Sequence, residues 1–159
     1  MTLLSPFPAS ALPRAWEWLR EFPANNFDDY GPRTLEEFLA VMEERASQEF
    51  TWGVLYEGEL CGIIAFLPLT ERTGTFHGIC FTRSVHGKGI AKEAVGQVIE
   101  ELFASGIQKI QAGIFADNIR VARFLTGLGA VEEGLLREQT MRGGIAVDMQ
   151  LLAIFKAKE

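Results

Sequence analysis

Histidine, cysteine and tyrosine are scarce in this 159-residue chain, with two of each, and the scarcity excludes whole classes of chemistry. The histidines at 77 and 86 and the cysteines at 61 and 80 fall into no spacing that reads as a metal site or a disulfide framework. Cys61 and Cys80 therefore read as reduced core thiols. Long apolar runs are missing too: none approaches the ~20 residues that cross a bilayer. Met1–Ala11 is mildly apolar, but Pro6 and Pro8 interrupt it and no basic stretch precedes it, so it does not read as an export signal. The expectation is a cytoplasmic protein that uses no membrane. Positive charge is in deficit, with 15 Lys and Arg against 21 Asp and Glu and a net charge of −6. That balance works against nucleic-acid binding, which depends on neutralising phosphates.

What remains is an ordinary globular composition, 48% apolar and 23% charged, with 12 phenylalanines to fill a core. The length predicts a single domain over 1–159. A weak strand is predicted near Thr2–Ser5, and Ser10 is placed to cap a first helix with Pro13 near its start. Asn25–Pro32 reads as loop. Thr34 with Glu37 three residues on forms a capping box for a second helix. The apolar period then shortens. Phe50–Tyr56, Leu60–Leu69 and Gly74–Phe81 read as a three-stranded meander, the first two joined at Glu57-Gly58-Glu59.

Ile90, Ala94, Val95, Val98, Ile99 and Leu102 mark a long helix that Gly106 can close. Lys109–Phe115 reads as a buried strand, followed by a helix capped by Asp117 or Asn118 and ended by Gly129. Ala130–Gln139 and Ile145–Phe155 read as strands around Gly143-Gly144. The order predicts an α/β fold (mixed α+β) whose sheet is mostly antiparallel. Its one parallel unit is the strand–helix–strand of residues 75–115.

His86-Gly87-Lys88-Gly89-Ile90-Ala91 stands at the strand-to-helix junction of that unit. Two glycines let the backbone turn tightly, and the helix start offers unpaired N–H groups and a positive dipole end. No acidic residue occurs from Thr73 to Lys92, so Arg83, His86, Lys88 and Lys92 make a basic island in an acidic chain. The pattern points to an anionic ligand. It is not a P-loop, because Thr82 stands where the first glycine belongs and no Ser or Thr follows Lys88. Nor is it a dinucleotide fingerprint, because Lys92 replaces the third glycine.

The run resembles the signature Arg/Gln-x-x-Gly-x-Gly/Ala of the GCN5-related N-acetyltransferase (GNAT) superfamily, with His86 in the first position. Phe81 takes the family's apolar place upstream, and Asn118 begins the second motif with Gly129 at its end. Gly129-Ala130, Glu133-Gly134, Arg137, Gly144 and Asp148 resemble the tail of the branch containing ribosomal-protein N-terminal acetyltransferases, with Ala130 in place of an aromatic residue. The resemblance implies a GNAT-like twisted sheet of about six to seven strands flanked by about four helices. It implies acetyl-CoA as cosubstrate, no metal, and a primary amine as acceptor, on a small molecule or a protein N-terminus. Homodimers are frequent among such proteins.

For binding acetyl-CoA the resemblance implies Cys80, Phe81, Thr82 and Arg83 at the end of the strand, and His86, Gly87, Lys88, Gly89, Ile90 and Ala91 at the loop. Asn118 and Arg123 follow on the second helix, with Arg120 beside them facing either phosphates or solvent. Asn118 has two readings, a site residue for catalysis and binding or a helix cap. His77 is the candidate base. On an extended strand Thr75, His77, Ile79 and Phe81 share a face, and Phe81 marks the face toward the thioester in related enzymes. A hydrogen bond to a neighbouring strand is its other reading. Cys80 falls on the opposite face, which argues against an acyl-cysteine route.

The family's frequent tyrosine acid is Leu125 here; Thr126, Ser84, Tyr30 and Tyr56 are the substitutes to consider. Asp28, Asp29, Glu36 and Glu37 would favour a cationic acceptor if they rim its cleft. Two alternatives stay open at this point: a non-enzymatic acyl-CoA sensor, and a transferase of another acyl group with Phe66, Phe76 and Phe115 shaping its pocket.

Overall fold

The computed structural model describes residues 2–158. Strands β1 (Thr2–Pro6), β2 (Phe50–Tyr56), β3 (Glu59–Pro68), β4 (Thr73–Phe81), β5 (Lys109–Phe115), β6 (Val131–Arg142) and β7 (Ile145–Phe155) form one sheet in the order β1-β2-β3-β4-β5-β7-β6. Only β4 and β5 run parallel, joined by the crossover helix α4 (Ile90–Ala104). The other helices are α1 (Leu12–Arg20), α2 (Pro23–Asn26), α3 (Leu35–Arg45) and α5 (Ile119–Gly127). Among the described residues no helix is long and apolar enough to cross a membrane.

Turn chemistry explains the hairpins. Glu57 and Gly58 both have positive φ, as do Gly143 and Gly144, the backbone that a two-residue loop needs to match strand twist. Helix α3 starts at Thr34, whose hydroxyl accepts from the Glu37 N–H at 3.1 Å. Glu37 reaches back to the N–H of Arg33 at 2.6 Å, one residue beyond the usual capping box. The other predicted cap is corrected. Ser10 lies inside a short 3-10 turn (Ala9–Ala11), and α1 begins at Leu12 with Ala11 at its N-cap and no side-chain cap. The predicted loop Asn25–Pro32 also begins in helix, because α2 runs to Asn26.

Alternation along the strands divides the core between the two sheet faces. Ile64, Phe66, Phe76 and Phe81 pack with α4 and with Leu125 of α5. Ile63 and Cys80 pack with Trp16 and Trp18 of α1 and Phe38 of α3. One irregularity governs the site: Ala65 pairs with Gly78 while Phe66 pairs with Phe76, so β4 carries His77 as an extra residue.

Candidate active site

Strands β4 and β5 pair only from Thr73–Lys109 to Phe76–Ala112. Beyond that point they part, and the β5-facing edge of Gly78–Phe81 is left without a strand partner. β5 itself stays paired with β7 as far as Phe115. The gap opens into a cavity of about 940 Å³, lined on one side by residues 76–81 and on the other by Ala112–Phe115. It runs from the start of α4 to the face covered by α1–α3, where Phe27, Tyr30, Val41 and Met42 line it.

At the α4 end, Gly87 and Gly89 have φ of 78° and 76°, the left-handed conformation that glycine adopts without strain. The first hydrogen bond of the helix is Glu93 N–H to Gly89 carbonyl at 3.1 Å. The N–H groups of Ile90, Ala91 and Lys92 precede it and have no partner among the described residues. His86, Gly87, Gly89, Ala91, Lys92 and Arg120 line the cavity here, a positive and donor-rich end in an acidic protein. These features suit a diphosphate.

The remaining candidates divide. Cys80, Phe81 and Asn118 also line the cavity. Asn118 is buried and caps α5, its side-chain oxygen accepting from the Val121 N–H at 3.4 Å. Thr82, Arg83, Lys88, Ile90 and Arg123 stand outside the lining. The Thr82 N–H is spent on the Cys61 carbonyl at 2.8 Å, and the Ile90 side chain is core. Arg83 pairs with Glu21 at 3.5 Å and lies over Phe22, while Arg123 is exposed on α5.

Burial pushes the Cys80 thiol up to about 12, with the nearby Glu21 charge adding to the rise. A thiol so disposed is no nucleophile near neutral pH. Among the substitutes for the tyrosine acid, only Tyr30 lines the cavity. The Thr126 hydroxyl is committed to the Ala122 carbonyl at 2.8 Å, and Leu125 itself is 2% exposed. Phe66, Phe76 and Phe115 are all buried, the first two meeting edge to face; Phe76 and Phe115 line the cavity, whereas Phe66 stands outside the lining.

One expectation is overturned by the geometry. The extra residue in β4 breaks its alternation, so His77 shares the α1–α3 face with Gly78 and Cys80, not the face of Ile79 and Phe81. There its Nδ1 lies 2.9 Å from Oε1 of Glu49, a carboxylate only 3% exposed at the start of β2. Of the acidic rim only Asp28 lines the cavity; Asp29, Glu36 and Glu37 stand outside the lining. Asp29 accepts from the N–H groups of Gly143 and Gly144 at 2.7 and 2.9 Å. Asp28 accepts from Tyr30 and Thr140, and Glu37 is held by Arg33 N–H. These hydrogen bonds fasten the loops together, Asp28 doing so at the edge of the cavity.

Sequence reading did not find Glu49, because nothing in its local pattern separates it from the other acidic residues of α3 and its exit. Phe22, stacked on His86 with ring centroids 5.7 Å apart, was equally silent.

Comparison with known proteins matches this arrangement to a family. Residues 12–130 match the Acetyltransferase (GNAT) family. A Bacillus subtilis protein described as the uncharacterized N-acetyltransferase YoaA is 27% identical over 129 residues, covering 79% of this chain and 72% of its own length. The spermidine N-acetyltransferase of Vibrio cholerae, solved with CoA and spermine, superposes with a TM-score of 0.82 at 18% identity, covering 97% of this chain and 95% of that one. The ribosomal-protein-alanine N-acetyltransferase of Brucella melitensis gives 0.78 at 18% identity, covering 97% and 99%. With the parted strands, the glycine turn and this match over most of its length, the chain belongs to the GNAT family of acetyltransferases.

Proposed function

We propose that the protein transfers an acetyl group from acetyl-CoA to a primary amine, on a protein N-terminus or a small molecule, by direct attack within the cavity between β4 and β5. One observation carries the reading: the parted strands open beside the unpartnered N–H groups at the start of α4. Gly87, Gly89, Ile90 and Ala91 present main-chain donors to the diphosphate, and Lys92 and Arg120 add positive charge at the same end. The free edge of Gly78–Phe81 then receives the pantetheine arm as an extra strand would be received. Acetyl-CoA supplies the activated thioester; the protein aligns it and excludes water.

The acceptor enters from the α1–α3 side, where His77 lies. An ammonium has no lone pair, so a base must take its proton before it can attack. His77 serves as that base. Its Nδ1 faces Glu49, which leaves Nε2 to accept the proton. Asn118 holds the first turn of α5 against the cavity. Support for an amine acceptor comes from the two structural neighbours named above. The base–carboxylate pair within the lining favours catalysis over a purely sensing role.

Calorimetric titration with CoA, beside thiol release from acetyl-CoA over a panel of amines, tests the proposal. Binding with amine-dependent release supports it. Absence of CoA binding overturns it, and binding without release over the whole panel favours the sensor.

A further inference from the structure

Glu49 and His77 come from elements that are not sheet neighbours, 28 residues apart in sequence, and meet on the α1–α3 side of the cavity. The side chain of Glu49 is 3% exposed, whereas that of His77 is 32% exposed. Burying a carboxylate costs free energy unless it is hydrogen-bonded. Among the described residues the one side-chain partner of Glu49 is the imidazole of His77. The backbone fixes the pair from both ends. The Glu49 N–H is tied to the Arg45 carbonyl at 3.0 Å, and His77 is turned to this face by the extra residue in β4.

An ionised carboxylate only accepts hydrogen bonds. Its contact with Nδ1 therefore places the ring proton on Nδ1 and leaves the Nε2 lone pair uncommitted. We infer that Glu49 is a positioning residue for His77: it sets the tautomer that can take a proton from the acceptor amine, and it stabilises the imidazolium once that proton has moved. The inference rests on the proposed role of His77 as base. The proton passes from the acceptor nitrogen to Nε2, and no other bond changes in this step. Glu49 keeps its charge throughout and touches no reacting atom.

The test combines a mutant cycle with a measurement on the unaltered protein. His77→Gln is expected to lower kcat at least tenfold with KM for acetyl-CoA within about twofold of wild type. Glu49→Gln is expected to lower kcat roughly tenfold, again with little change in KM for acetyl-CoA. The double variant should be no slower than His77→Gln alone, within about twofold, because Glu49 acts only through the imidazole. Nitrogen-15 NMR of the wild-type protein should show neutral His77 with its proton on Nδ1.

Each arm overturns something different. Unchanged turnover in His77→Gln removes the base and this inference with it. A slow His77→Gln beside a wild-type Glu49→Gln removes Glu49 alone, as does a further loss in the double variant. Should Glu49→Gln fail to fold, the wild-type spectrum still decides, and a proton on Nε2 overturns the assignment.

Discussion

Arg120 donates a hydrogen bond to Nδ1 of His86 across 3.1 Å. A guanidinium only donates, so Nδ1 accepts and the ring proton sits on Nε2, which donates to the Phe81 carbonyl at 3.0 Å. The imidazole thus bridges the end of β4 to the first turn of α5. A glutamine amide offers the same donor and acceptor on one side chain. His86→Gln should therefore keep CoA affinity within about threefold, whereas His86→Ala, which loses both contacts, should weaken it about tenfold. Calorimetric titration with CoA checks both, and equal weakening in the two variants would show that the bridge is immaterial.

Gly87 and Gly89 have open space where a Cβ would project, so their requirement is conformational rather than steric. Alanine at either left-handed position costs about 1 kcal/mol of backbone strain. Relief of that strain turns the N–H groups away from the cavity. Gly87→Ala and Gly89→Ala should each reduce CoA affinity at least tenfold while lowering the melting temperature by only a few degrees. Isothermal titration and thermal unfolding separate the two effects.

Cys80 lines the cavity and invites a covalent reading, yet burial pushes its thiol up to about 12. Iodoacetamide at pH 8 should label it far more slowly than an exposed cysteine, and Cys80→Ser should keep kcat within about threefold. Mass spectrometry and steady-state kinetics give the answer; loss of turnover in Cys80→Ser with intact CoA binding would reopen the acyl-cysteine route.

Asp29 holds the tip of the β6–β7 hairpin through the N–H groups of Gly144 and Gly143, which keep its carboxyl below the ordinary 3.8. Asp117, hydrogen-bonded by the guanidinium of Arg142, is lowered in the same way. A carboxylate with a depressed folded pKa contributes stability that is complete above its unfolded value and is lost as pH falls through the folded one. Loosening of this hairpin tip should thus begin only below about pH 3.8. At neutral pH, Asp29→Ala should lower the protection of the Gly143 and Gly144 amides on the order of tenfold while the core strands keep theirs. Hydrogen exchange followed by NMR measures both.

The glycine turn, the hairpins, the crossover helix and the caps at Thr34 and Asn118 were legible because each depends on residues within a few positions of one another. Positive φ, apolar period and a side chain reaching the N–H three residues on are local matters. Ser10 is a local reading that failed, because a 3-10 turn takes the place of its cap; the misread face of His77 has a non-local cause. Parity placed His77 beside Phe81, but one unpaired residue between Phe76 and Gly78 reverses it, and that pairing belongs to β3 and β4 jointly. The fastening of the acidic loop is equally non-local, since Asp29 finds its donors 114 and 115 residues away.

Residue order alone thus settles where the chain turns, which segments alternate or spiral, and that a donor-rich helix start follows a strand rich in apolar residues. Folding adds the rest: β4 and β5 separate beyond Phe76, His77 emerges on the α1–α3 side of the sheet, and Glu49 becomes its partner. The reason is that register and side-chain encounter are set by pairs of segments brought together in folding, and no single segment carries that information.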